Sequence, residues 1–187
     1  EHRGVPVALV SPGVGAPAAV SSLEITISLG ATHIIGCGGA GIVQPGFDIG
    51  HVIVPTSAVR DEGTSYHYLP ADDYAEADPT LMAAISPALA NVGEPVERGA
   101  TWTTDAPYRE TAEAITAARA AGILAVEMEA AALYAFAQAR AKAVLCFTHV
   151  TNQMGQAGDF EKGEANGATA SLALVHAVAD AWLYAER

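Results

Sequence analysis

Two carboxylates, Glu127 and Glu129, flank Met128 in Val126-Glu127-Met128-Glu129-Ala130-Ala131-Ala132, where a short apolar run gives way to an alanine-rich helical pattern. Acids at a helix start can grip a polar ligand, or they can simply complement the positive end of the helix dipole. Residues two apart on a helix point about 200° from one another, so only one of the pair can face a common site if both are helical. A second group, Thr101-Trp102-Thr103-Thr104-Asp105-Ala106-Pro107-Tyr108-Arg109, supplies hydroxyls, rings and a guanidinium. There Trp102 also suits ordinary core, and Arg109 a solvated or paired helix start. Asn152 closes Thr148-His149-Val150-Thr151-Asn152. Its amide can donate and accept hydrogen bonds but cannot deliver a proton; it equally suits a turn.

Two glycine loops invite a dinucleotide reading. Gly36-Cys37-Gly38-Gly39-Ala40-Gly41 fits G-x-G-x-x-G, but Gln44-Pro45-Gly46 interrupts and no helix can follow. Gly13-Val14-Gly15-Ala16-Pro17-Ala18 does sit between strand and helix, yet the next strand ends in glycines with no acid for a ribose. Nicotinamide and flavin chemistry is therefore disfavoured. Tight turns alone would explain the glycines. Both loops nonetheless present backbone amides at strand ends, where anions and substrates bind in open α/β sheets. The six histidines are scattered. No cluster has metal-ligand spacing and no nucleophile elbow stands out, so neither a metal nor an organic cofactor is expected. His67 is either a ligand contact or a solvated loop residue, and Tyr66 and Tyr68 alternate as strand residues do.

The elements that must position these groups follow from periodicity. Strands are predicted over residues 5–11, 33–37, 51–59, 96–101, 123–126 and 143–150. Helices are predicted over 17–29, 79–90, 108–120, 127–140 and 161–185, with a kink or early stop at Pro87. Residues 38–50 and 60–73 read as loops. Ala168, Leu172, Val175, Ala179 and Trp182 keep helical spacing and are expected to face a sheet. Alternating strands and helices argue for a layered α/β fold in one domain, residues 1–187. The composition, 51% hydrophobic and 16% charged, is that of a packed chain. A net charge of -12 argues against duplex nucleic acid or an anionic membrane as partner, while leaving a small anion possible at a local site. Cys37 and Cys146 lie in apolar runs that read as buried strands, which fits a reducing cytoplasm. No run of about 18 apolar residues and no signal peptide is present. An apolar strand so close to a Glu1 start, without methionine, leads us to expect an upstream segment.

Four stretches, in this order, resemble the nucleoside phosphorylase superfamily, nearest its uridine phosphorylase-like branch. They are Ser11-Pro12-Gly13-Val14-Gly15-Ala16-Pro17; Gly30-Ala31-Thr32-His33-Ile34-Ile35 with Gly38-Gly39-Ala40-Gly41; Ser57-Ala58-Val59-Arg60-Asp61-Glu62-Gly63-Thr64-Ser65; and Val126–Ala132. The resemblance implies a three-layer α/β/α fold around a mixed, largely parallel twisted sheet. It implies cleavage of a nucleoside N-glycosidic bond by phosphate, with phosphate as co-substrate and no cofactor. Glu129 and Met128 would hold the ribose; Thr104, Tyr108, Arg109 and Asn152 would address the base. Gly15, Gly38 and Gly39 would line the phosphate, and Glu129 and Asn152 would carry the catalysis. A carboxylate on the ribose hydroxyls would favour the positive charge that develops on the sugar. The family also implies a dimer-based homo-oligomer, as large as a hexamer.

The pattern breaks at several places. Gly36 and Gly39 stand where the family commonly has an arginine and a hydroxyl residue, and the family's first phosphate loop would lie before Glu1. Pro107 replaces an aromatic residue of many relatives, leaving stacking to Tyr108 or Trp102. Asn152 stands where purine-cleaving relatives carry an acid, which favours a pyrimidine or a 6-oxopurine. A nucleosidase using water, and a non-catalytic nucleoside-binding homologue, therefore stay open beside the phosphorylase.

Overall fold

The computed structural model describes residues 1–48, 50–93, 95–154 and 168–185. In chain order the elements are α1 (Ala16–Ser28), β1 (His33–Ile42), β2 (Val52–Asp61), β3 (Tyr74–Glu76), α2 (Pro79–Leu89), β4 (Val96–Thr104), α3 (Ala112–Ala120), β5 (Ala125–Glu127), α4 (Ala130–Arg140), β6 (Ala143–Gln153) and α5 (Ala168–Ala185). The mixed α/β architecture is the one expected. β1 runs parallel to β6, and β4 lies parallel to both β2 and β5. Short antiparallel pairings of β5 with Gly41 and Ile42, and of β6 with Val52 and Ile53, join the two halves into a ring. β3 adds to β2 outside it.

Helix α4 is the centre of the main core. Seven consecutive residues, Ala130 through Phe136, are buried, so the helix is apolar all round, as a helix inside a domain must be. Tyr134 resolves its one polar group by donating to Pro55 O at 2.7 Å. Residues of α1, α2 and α5 share that cluster, while Val43, Trp102, Ile115, Ile123 and Val126 form a separate one beneath α3. Trp102 is thus core, with its Nε1 donating to Asp61 Oδ2 at 2.9 Å.

Several expectations are corrected. Residues 5–11 form no strand: only a His2–Val5 bridge is made, and Val5, Val7, Leu9 and Val10 are exposed. An apolar run becomes a strand only where a ladder receives it. Conversely β1 does not stop at Cys37 but continues through the glycines to Ile42, because the β6 ladder carries on, with a register shift at Ala40/Gly41. Glycine permits the close approach: a Cβ on Gly41 would collide with Met154 Sδ. Cys37 lies in β1 as predicted but is exposed, whereas Cys146 is buried. Tyr66 belongs to a 3-10 turn, Ser65–His67, that Tyr68 caps, and neither is in a strand. Residues 108–111 are not helical in the α sense; a 3-10 turn, Pro107–Arg109, precedes α3, whose start is set by the Thr111 hydroxyl accepting from Ala114 N. In α5 the buried row is Leu174, Val178 and Trp182, and Leu172 is 58% exposed. Trp182 is buried as expected, but Leu174 and Val178 take the places expected for Val175 and Ala179: periodicity supplied the spacing, and the packing partner chose the neighbouring row. The predicted start of that helix at 161 lies outside the described residues.

The loop after β2 is held by Arg60, buried at 4% exposure. Its guanidinium donates to Ser65 Oγ (2.8 Å), Pro70 O (2.7 Å) and Leu69 O (3.3 Å) and lies 4.3 Å from the Tyr66 ring centre. Arg60→Ala strands those acceptors and is expected to cost about 2–3 kcal/mol, measured as a lower urea midpoint with unchanged slope.

Candidate active site

The site begins where two helices start together. Gly15, at φ +93, is the N-cap residue of α1, a backbone state that suits glycine. Glu129 is the N-cap residue of α4. The Gly15 amide donates to Glu129 Oε1 at 2.5 Å, across 114 residues of sequence. Toward the other ends of the same helices, Arg140 Nη2 donates to Glu24 Oε1 at 2.6 Å. The helices therefore run side by side in the same sense and bring their positive ends to one place, where a carboxylate or another anion is favoured. Burial pushes the Glu129 carboxyl up from its ordinary range, and the amides of Gly15 and Met128 pull it back.

β1 forms the floor. Glu129 Oε2 lies 3.8 Å from where a Cβ on Gly38 would stand, so the carboxylate sits beside this glycine. Gly39 faces Thr151, and Gly41 pairs in register with Asn152. Asn152 accepts from the Thr151 hydroxyl (3.1 Å), and its Nδ2 donates to Met154 Sδ at 3.4 Å. Along β1, Gly38 thus lies beside Glu129, and Gly39 and Gly41 lie beside Thr151 and Asn152 of β6. Met128 is half-buried in the turn between β5 and α4.

Other candidates stand apart. Thr104 is buried at the end of β4, and its hydroxyl oxygen accepts from Ala106 N at 3.2 Å. Tyr108 is fully exposed, and Arg109 is exposed, its guanidinium making no hydrogen bond or ion pair with the described residues. Gly38 and Gly39 are ladder residues and not a loop, and the Gly15 amide is already taken by Glu129. At Gly36 a side chain would point at Leu133 and Cys146, into the α4 packing. His67 lines an open cleft of about 440 Å³ with Pro17, Thr64 and Asp105. Among the described residues no three His, Cys, Asp or Glu side chains are grouped to hold a metal ion, and no helix is long and apolar enough to cross a membrane.

Sequence reasoning missed Thr101 and Thr103 as partners of the acids. Both hydroxyls donate to Glu127 Oε1, at 3.3 and 2.5 Å. Glu127 is not helical; it ends β5 and is buried, while α4 begins only at Ala130. The two acids are therefore separated by element as well as by direction. The signal that could have found the threonines is their alternation in 101–103, which puts both on one face of a strand.

The family model of the phosphorylase superfamily matches residues 1–180. The chain belongs to the phosphorylase superfamily. Among its relatives in that superfamily is a uridine phosphorylase from Thermococcus kodakarensis, 31% identical over 179 residues, which is 86% of this chain and 65% of the relative. A guanosine phosphorylase from Halorubrum lacusprofundi is 30% identical over 73% of this chain and 57% of its own length. A DeoD-type purine nucleoside phosphorylase from Colwellia psychrerythraea is 28% identical over 82% of this chain and 66% of its own length. The matched region is thus under two thirds of each of these relatives.

Proposed function

We propose that this superfamily member is a nucleoside phosphorylase of the uridine phosphorylase type. The observation that carries the reading is the Glu129 carboxylate, held at the meeting point of two helix N-termini and beside the glycine floor of β1. A carboxylate there accepts from the ribose hydroxyls and, as the bond to the base lengthens, favours the positive charge spreading over the sugar. A phosphate oxygen forms the new bond to C1′ while the C1′–N bond breaks. The electron pair leaves with the base, whose anion the Asn152 amide stabilises by hydrogen bonding before solvent protonates it. Met128 packs on the sugar, and Tyr108 and Arg109 close on the base from the β4 loop. The working form is a homo-oligomer, in which a neighbouring copy can bring cationic groups to the phosphate.

A second reading, hydrolysis by water, draws on a specific observation. Glu129 has no Arg or Lys partner among the described residues, and the Gly15 amide faces a carboxylate of the chain itself. Incubating uridine, inosine and methylthioadenosine with and without phosphate separates the two. The phosphorylase yields free base and pentose 1-phosphate only when phosphate is present. Equal base release in both conditions would sink it in favour of the hydrolase, and binding without release would favour a silent homologue.

A further inference from the structure

We propose that Glu127, with Thr103, is the positioning pair of this site: together they take over the capping of α4, so that the Glu129 carboxylate is not drawn onto its own helix and faces outward to take ribose hydroxyls. The inference rests on the nucleoside-binding reading above.

A residue at the N-cap ordinarily turns its side chain back onto the first free amides of its own helix. Glu129 occupies that position and makes no such bond. Its work is done from beneath. The amides of Glu129 and Ala130 donate to Glu127 Oε2 at 2.7 and 2.6 Å. The next amide, that of Ala131, donates to Thr103 Oγ1 at 2.9 Å, and the same hydroxyl donates to Glu127 Oε1. Thr103 and Glu127 are direct partners in the parallel β4–β5 ladder, so the sheet itself sets their spacing. Thr103 is fully buried and Glu127 is 3% exposed, so water cannot substitute for either. Both oxygens of Glu127 are engaged on the inner side of the turn, while Glu129 turns outward, where Oε1 takes the Gly15 amide and Oε2 lies beside Gly38. If Glu127 merely stabilised α4, its loss would lower the melting temperature without altering how the ribose is recognised.

Calorimetry of the full chain with uridine and inosine, and with their 2′,3′-dideoxy analogues, reads the grip on the ribose hydroxyls directly. The wild type is expected to prefer the hydroxylated nucleosides by tenfold or more. In Glu127→Ala and in Thr103→Val that preference should fall below threefold, while the dideoxy analogues keep their affinity. Glu127→Gln and Thr103→Ser, which keep an acceptor for the amides, should restore most of it. Glu127→Ala leaves a buried gap and can fail to fold; Thr103→Val is isosteric and decides the matter alone. Retained preference in a folded Thr103→Val protein, or weakening of both nucleoside classes alike, would overturn the positioning role only. A wild type that binds no nucleoside would overturn the functional reading, and the inference with it.

Discussion

Glu129→Ala is expected to lower kcat/KM for nucleoside cleavage by about 10²–10³-fold or more, the scale found when a single transition-state partner is removed. The loss should fall on kcat as well as KM, because the carboxylate meets more positive charge in the transition state than in the bound nucleoside. Stability should hardly change. Glu129 makes no capping bond to α4, is half-buried, and gives up only its contacts with the amides of Gly15 and Met128. The experiment therefore separates chemistry from folding: steady-state kinetics should collapse while the melting temperature stays within a few degrees. Full activity in the variant would remove Glu129 from the mechanism. Glu129→Gln, which can accept from a hydroxyl but carries no charge, should fall between the two.

The second large effect concerns pH. Burial pushes the Glu127 carboxyl up to about 7, against the Thr103 hydroxyl and the amides of Ala130 and Glu129, which favour its ionised form; the nearby Glu129 carboxyl adds to the rise. The folded state thus holds the Glu127 proton more tightly than the unfolded chain, where the value is 4.5. Its contribution is complete below about pH 4.5 and is lost as pH rises through 7, up to about 3 kcal/mol. Tyr134 and Cys146 also face this carboxyl, and burial raises both well above their ordinary values, so they stay neutral across the window. Glu129 is shifted in the same direction and adds to the same slope. Glu127→Gln, a neutral mimic, isolates the Glu127 part. Urea midpoints should fall between pH 5 and 8 in the wild type and fall much less in the variant. Parallel curves for the two proteins would exclude the assignment.

Much of the layout follows from local chemistry. Asp78 accepts from Thr80 N and Leu81 N, and Pro79 opens α2, so that start is written in three residues. Gly30, at φ +104, follows α1 where a left-handed residue is needed. Such signals act within a few residues and need no tertiary partner. The order of the glycine loops, the acids and Asn152 is equally a property of the chain, and with it membership of the superfamily.

Other features belong to the folded chain alone. Whether 38–42 is loop or strand depends on β6 more than 100 residues later, because glycine accepts either state and only the ladder chooses. Which row of α5 is buried depends on its packing partner, since neighbouring rows share one period. The division of labour between Glu127 and Glu129 shows the same limit most clearly. Their spacing is visible at once, but one is buried by Thr101 and Thr103 and the other is drawn to Gly15, 114 residues away. Periodicity measures distance along one element; hydrogen bonds between elements are made only when the sheet closes and two helix N-termini meet.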